Sequence, residues 1–239
     1  MTTITNSLAG GTSGTAITTG NSGGASGTAF DAVTIDADGE CAYSGAEAVA
    51  AISPLSAALS TGASGTATLL GWHASSFGSP SQCYSRMYVY LTAYPPSTVT
   101  IYEPTSSSTA LAFLHLSASG VLALLNAAGT AIFTFTDLVP LNQWTRIETF
   151  LDFSAGNCEV RLFLDPYNTT PDEDHTASGQ AITGSFFAAH FGWNSSVANQ
   201  PVMYLAGLGV SGTGFLGPAA GPPGSGGGIV AALVASGTI

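Results

Sequence analysis

Short apolar runs, broken by clusters of Gly, Pro, Ser and Asn, recur along the whole chain, and they alternate rather than following a 3.6-residue period. The clearest lies between Val121 and Glu148. Val121–Leu125 and Ala131–Phe135 are apolar runs joined by Asn126-Ala127-Ala128-Gly129, a hairpin with glycine at the end of its turn. A polar turn follows, and then a strand from Trp144 to Phe153 in which Trp144, Arg146, Glu148 and Phe150 alternate with Thr145, Ile147, Thr149 and Leu151. Further strands are predicted over Phe30–Ile35, Thr66–Trp72, Arg86–Thr92, Thr98–Tyr102, Ala110–Leu116, Glu159–Leu164, Phe186–Trp193 and Val202–Val210, all rich in Val, Ile, Thr, Phe and Tyr. Asp36-Ala37-Asp38-Gly39 reads as a hairpin turn after the first of these. A helix competes only at Ala46–Leu59, where Pro54 breaks it. Many short strands without a long helical stretch predict an antiparallel sandwich.

Three segments follow from this pattern. Residues 1–28 are Gly-, Ser- and Thr-rich and are expected to form an N-terminal arm or loop; residues 29–218 hold the strands. Residues 219–239 begin with a Gly/Pro linker and end in an apolar segment containing Ile229, Val230, Leu233 and Val234. Four branched apolar side chains behind a Gly-rich spacer favour burial, so this segment is read as a contact with a neighbouring protein. It is too short to span a bilayer, and the N-terminus has no secretory pattern.

Charge narrows the partners. Only 7% of the residues are charged, lysine is absent, and Arg86, Arg146 and Arg161 are the only Lys or Arg residues against 14 acids, for a net charge of −11. Such a chain lacks the cations that bind phosphate backbones or anionic membranes, so neither nucleic acid nor membrane is expected as a partner. A surface of Ser, Thr, Gly and Ala suits a protein that works inside an assembly. Cys41, Cys83 and Cys158 are odd in number and widely spaced, and are read as small buried apolar residues.

No constellation carries convincing chemistry. Gly20-Asn21-Ser22-Gly23-Gly24 fits G-x-S-x-G but has no strand before it. Asp172-Glu173-Asp174-His175 reads as a solvated loop, with a calcium site as the weaker alternative, and Asp36, Asp38 and Glu40 read as turn residues. Glu148 and Asp152 share a face with Arg146, which points to an ion-paired glutamate rather than a glycosidase pair. If Trp144–Phe153 pairs antiparallel with Glu159–Leu164, arginines can face glutamates across the ladder. The alternative for Trp144 and Arg146 is a glycan platform, one stacking and the other donating hydrogen bonds. No catalytic, cofactor or metal residues are assigned.

From about Thr28 to Pro218 the chain resembles the concanavalin A-like, laminin G-like jelly-roll modules of structural proteins in phages of actinobacteria. The resemblance rests on Val121–Glu148 with its Trp144-Thr145-Arg146-Ile147-Glu148, on Tyr88–Pro95, on Leu116–Leu122, on Tyr204–Ser211, and on Gly214-Phe215-Leu216-Gly217-Pro218. It implies an all-β concanavalin A-like jelly-roll sandwich of antiparallel strands with extended N- and C-terminal arms. It further implies a non-enzymatic virion protein made in the host cytoplasm, a capsid decoration or minor capsid protein. Its expected partners are other virion proteins, the major capsid protein or tail proteins, and further copies of itself. The alternative is a minor tail protein whose jelly roll binds a host glycan or surface. Family members carry an acidic pair where Ala206 and Gly207 stand here, so no ligand contact of that pair is carried over.

Overall fold

The computed structural model describes residues 2–49, 52–107, 109–194 and 198–219. Its strands are β1 (Ile4–Asn6), β2 (Ala32–Thr34), β3 (Glu40–Ser44), β4 (Ser56–Ser60), β5 (Thr68–His73), β6 (Gln82–Leu91), β7 (Val99–Thr105) and β8 (Ala112–Leu116). They continue with β9 (Val121–Asn126), β10 (Ala131–Leu138), β11 (Trp144–Asp152), β12 (Cys158–Phe163), β13 (Glu173–Ala177), β14 (Ala188–Trp193) and β15 (Met203–Ser211), and one helical turn, α1 (Ala74–Phe77), follows β5. Two antiparallel sheets face each other. The larger runs β13-β12-β11-β6-β15-β4-β3 with β1 added to β15, and the smaller runs β10-β9-β8-β7-β14-β5-β2. Sequence neighbours repeatedly lie in different sheets, which is a jelly-roll sandwich.

Alternation decides what each sheet buries. Ile147 and Leu151 of β11 join Met87, Val89, Leu91, Met203 and Leu205 in the core. The smaller sheet supplies Leu70, Trp72, Leu114, Leu122, Leu124 and Phe191 to the same core. Trp72 lies 4.9 Å from Phe30 and 6.0 Å from Phe191, and its indole N–H donates to Ala29. The three cysteines are free and buried in this interior, and burial pushes the thiols of Cys41 and Cys83 up to about 12 and that of Cys158 to about 11.

The predicted hairpin is β9–β10. Gly129, at φ 77°, closes the turn with its N–H on Asn126 O, while the Asn126 side chain accepts from Ala128 and Thr130. The Asp36–Gly39 turn also forms, with Gly39 N–H on Asp36 O, but it is a crossover: β2 belongs to one sheet and β3 to the other. The Asp36 carboxylate accepts from Ser64, Thr66 and the Gly62 N–H, and these hydrogen bonds hold it well below the usual carboxylate range.

Two expectations are corrected. The first 28 residues fold onto the sandwich instead of extending away. β1 pairs with β15, Thr15 and Ile17 bond along β3, and Ile4, Leu8 and Ile17 are buried. At the end of Ala46–Leu59, where a helix competes until Pro54, Ser56–Ser60 form strand β4, held in the extended state by pairing between β15 and β3. Asp172–His175 is no loop, because Glu173–Ala177 is the edge strand β13. There Glu173 accepts from the Thr136 and Asp137 N–H groups of β10, tying the edges of the two sheets together.

Candidate functional site: the outer face of the larger sheet

The side chains of β11 that do not enter the core meet their ladder neighbours on the opposite face. Trp144 lies opposite Tyr90, which lies opposite Tyr204; Arg146 lies between Tyr88 and Phe163; Glu148 lies between Arg86 and Arg161. All three arginines of the chain therefore stand on one face of one sheet. Across the β11–β12 ladder only Arg161 stands opposite a glutamate, Glu148, and the close ion pairs run along single strands instead, Arg146 with Glu148 and Arg161 with Glu159.

This face is covered by the chain's own C-terminal strap, residues 213–219. Arg86 Nε donates to Gly207 O and a terminal nitrogen donates to Gly217 O, both at 2.9 Å. Ala219 N–H donates to the Tyr88 hydroxyl at 2.8 Å. Phe215 sits edge-on to Tyr84 at 5.1 Å, with the Arg161 guanidinium 3.6 Å from its ring centre. Gly207, at φ 53°, lies in the irregular stretch between Ala206 and Gly209, and a β-carbon there would meet the Tyr88 ring at 2.8 Å. Gly207 thus has no room for a side chain.

Arg146 cannot serve as a glycan platform. It is 1% exposed, donates to Pro166 O and Asn168 O, and lies 3.7 Å over the Phe163 ring. Its Nε is 3.5 Å from Glu148 Oε1, which is equally buried. Burial raises the Glu148 carboxyl, and Arg146, Arg86, Arg161 and the Gly217 N–H pull it partly back. Trp144 remains half-buried at one end of the face, 5.6 Å from Tyr90, which is 5.9 Å from Tyr204. Burial, and then the Glu47 carboxylate, raise both tyrosines. Of the predicted platform, Trp144 is the part left for a ligand to stack on, beside Tyr90 and Tyr204.

The other sequence candidates do not converge. Ser22 is fully buried, and its hydroxyl accepts from Phe30 N–H. Asp152 turns away from Glu148 to accept from Ser154, Ala155 and Gln82; the Ser154 hydroxyl bond leads in lowering it to about 2. Glu173 bonds β10 and His175, while Asp172 accepts from Leu164 N–H. Among the described residues no three such side chains are placed to hold a metal. Ile229, Val230, Leu233 and Val234 lie outside the described residues.

A second constellation escaped the sequence reading. On β7 and β14, Glu103 and His190 are cross-strand partners, and both are half-buried. Burial raises Glu103 to about 7, partly offset by the neighbouring Asn194 amide, and burial with the neighbouring His73 lowers His190 to about 4. The His190 ring lies over Gly71, whose missing side chain makes the space for it. A strand pattern alone gives no sign of this pairing, since it depends on which strands become neighbours.

No family model matches the chain, and no curated protein matches it. Solved structures share its fold. Superposition on "Cellulose induced protein, Cip1" gives a TM-score of 0.56 at 15% identity, covering 77% of this chain and 89% of that one. A Trypanosoma rangeli sialidase in complex with sialic acid gives 0.51 at 12% identity, covering 87% of this chain but only 30% of the sialidase. These likenesses make the fold a concanavalin-like jelly roll and go no further.

Proposed function

We propose that this chain is a non-enzymatic structural protein of a bacteriophage virion, a capsid decoration or minor capsid protein. The observation that carries the reading is the use of its arginines. Arg86 and Arg161 hold the strap to the sheet. The face on which many sandwiches would take a ligand is thereby closed along most of its length. The strap also fixes where the last residues leave the body, beside Tyr88. From Ala219, nine linker residues reach at most about 30 Å to Ile229, enough to carry the apolar segment onto a neighbouring subunit. Deleting Gly224 to Ile239 is expected to leave the melting temperature nearly unchanged while abolishing incorporation into particles. A truncated protein that melts far lower and still assembles would overturn the reading.

The second reading, a glycan-binding module of a minor tail protein, is favoured by the Tyr90–Trp144–Tyr204 cluster alone. Its test is saturable binding of the purified protein to host cells, lost in Trp144→Ala.

A further inference from the structure

A cavity of about 680 Å³ opens beside the strap, between β1, the Gly24–Ser26 turn and the end of β15. That size falls within the ~300–1,000 Å³ typical of small-molecule sites. Thr5, Ser26, Ser211 and Thr213 line it together with Phe215 and Arg86. Arg86 is 5% exposed. Among the described residues, ion pairs join Arg146 to Glu148 and Arg161 to Glu159, and Arg86 joins none. Its two hydrogen bonds go to neutral backbone carbonyls. Its ladder neighbour Glu148 attracts it, but the close contact of that carboxylate is with Arg146. A buried guanidinium that shares its one nearby carboxylate with two other arginines is incompletely compensated, and its planar fork matches a carboxylate.

We propose that this cavity binds a carboxylate-bearing sugar, such as a uronic acid, with Arg86 taking the carboxylate, the hydroxyl side chains the ring hydroxyls, and Phe215 one face of the ring. A singly charged carboxylate suits the site better than a phosphate dianion: one guanidinium is present, Glu148 stands nearby, and the chain carries a net charge of −11. The site is separate from the assembly role, which concerns residues 224–239. It also lies apart from the Tyr90–Trp144–Tyr204 cluster.

The test is an NMR titration of the full chain with D-glucuronate, run beside D-glucose and inorganic phosphate. Glucuronate is expected to shift the amides of Thr5, Ser26, Thr213 and Gly214 saturably, with glucose and phosphate at least about tenfold weaker. Arg86→Gln should abolish the shifts, but it also loosens the strap. Gly214→Trp is therefore the second variant. A β-carbon at Gly214 meets nothing within 4 Å, so the indole should fill the cavity and remove binding with the melting temperature unchanged. Absence of saturable shifts, phosphate binding as tightly as glucuronate, or binding that survives Gly214→Trp would each overturn the assignment.

Discussion

Replacing Arg146 with alanine tests whether the charged row on the larger sheet is structural. The guanidinium is 1% exposed, donates to two backbone carbonyls, stacks on Phe163, and is the nearest cation to a Glu148 that is itself 1% exposed. Removing one member of a buried pair typically costs about 3–5 kcal/mol, because the other charge is left uncompensated. At about 2–4 °C per kcal/mol for a chain of this length, that is a drop of roughly 6–20 °C in melting temperature. Arg146→Met keeps the stem's volume and should remain nearly as damaging. Arg146→Met with Glu148→Met removes the stranded charge and should recover part of the loss. The sign with pH is also fixed. A carboxyl raised by folding binds its proton more tightly in the folded state, so stability falls as pH rises above the ordinary carboxylate value. Losing Arg146 raises Glu148 further, and the deficit of Arg146→Ala should shrink between neutral pH and pH about 5. Urea titrations at several pH values read both effects. A cost below about 1 kcal/mol, or a double variant whose loss is simply the sum of the two single losses, would refute the buried-pair account.

Glu103 and His190 should oppose each other in pH dependence. Glu103, raised to about 7, loses stability as pH rises from its unfolded value of 4.5; His190, lowered to about 4, loses it as pH falls below 6.5. Glu103→Gln should therefore expose a decline on acidification, and His190→Asn a decline on alkalinisation, each on the order of 2 kcal/mol in urea titrations; flat profiles in both would contradict the assigned environments. Glu173→Gln should cost about 1–3 kcal/mol and speed hydrogen exchange at Thr136 and Asp137, whose N–H groups its carboxylate accepts. In the native chain that contribution should be lost as pH falls below the ordinary carboxylate value, because the β10 and His175 hydrogen bonds outweigh burial and lower Glu173. The three buried thiols should resist a thiol reagent in the native protein and react fully in denaturant; labelling of any one without unfolding would place it at the surface.

The sequence made legible what depends on neighbours along the chain. The alternation of β11 correctly separates Ile147 and Leu151 from Arg146 and Glu148, and Asn126–Gly129 forms the turn its residues require. Neither signal says which strand lies alongside. The Asp36–Gly39 turn has the right chemistry, yet it links two sheets, because a turn fixes the local reversal and not the partner of the next strand. β13 was hidden because Glu-Asp-His-Thr-Ala carries no apolar alternation, and it is a strand only through its pairing with β12. Arg146 fails as a glycan platform for the same kind of reason. An outward-facing side chain is exposed only if nothing covers the sheet, and here loop residues Pro166 and Asn168 cover it, with the strap beside them.

One signal was present in the composition and points to that burial. In a chain with 7% charged residues and no lysine, solubility does not rest on cations, so each arginine that remains is held by a more specific demand. Arginine meets such demands where lysine cannot, through planar, multiple hydrogen bonds to carbonyls and stacking on rings. Arg86 reaches two carbonyls, Arg146 two carbonyls and a ring, and Arg161 a carboxylate and a ring. Scarce arginines without lysine in a β-rich sequence therefore argue for buried, bond-organising cations ahead of any ligand platform. Arg86 borders the cavity beside the strap and, among the described residues, has no carboxylate within ion-pair distance. That combination is why the uronate site is assigned to it and not to the more conspicuous Arg146 beside Trp144.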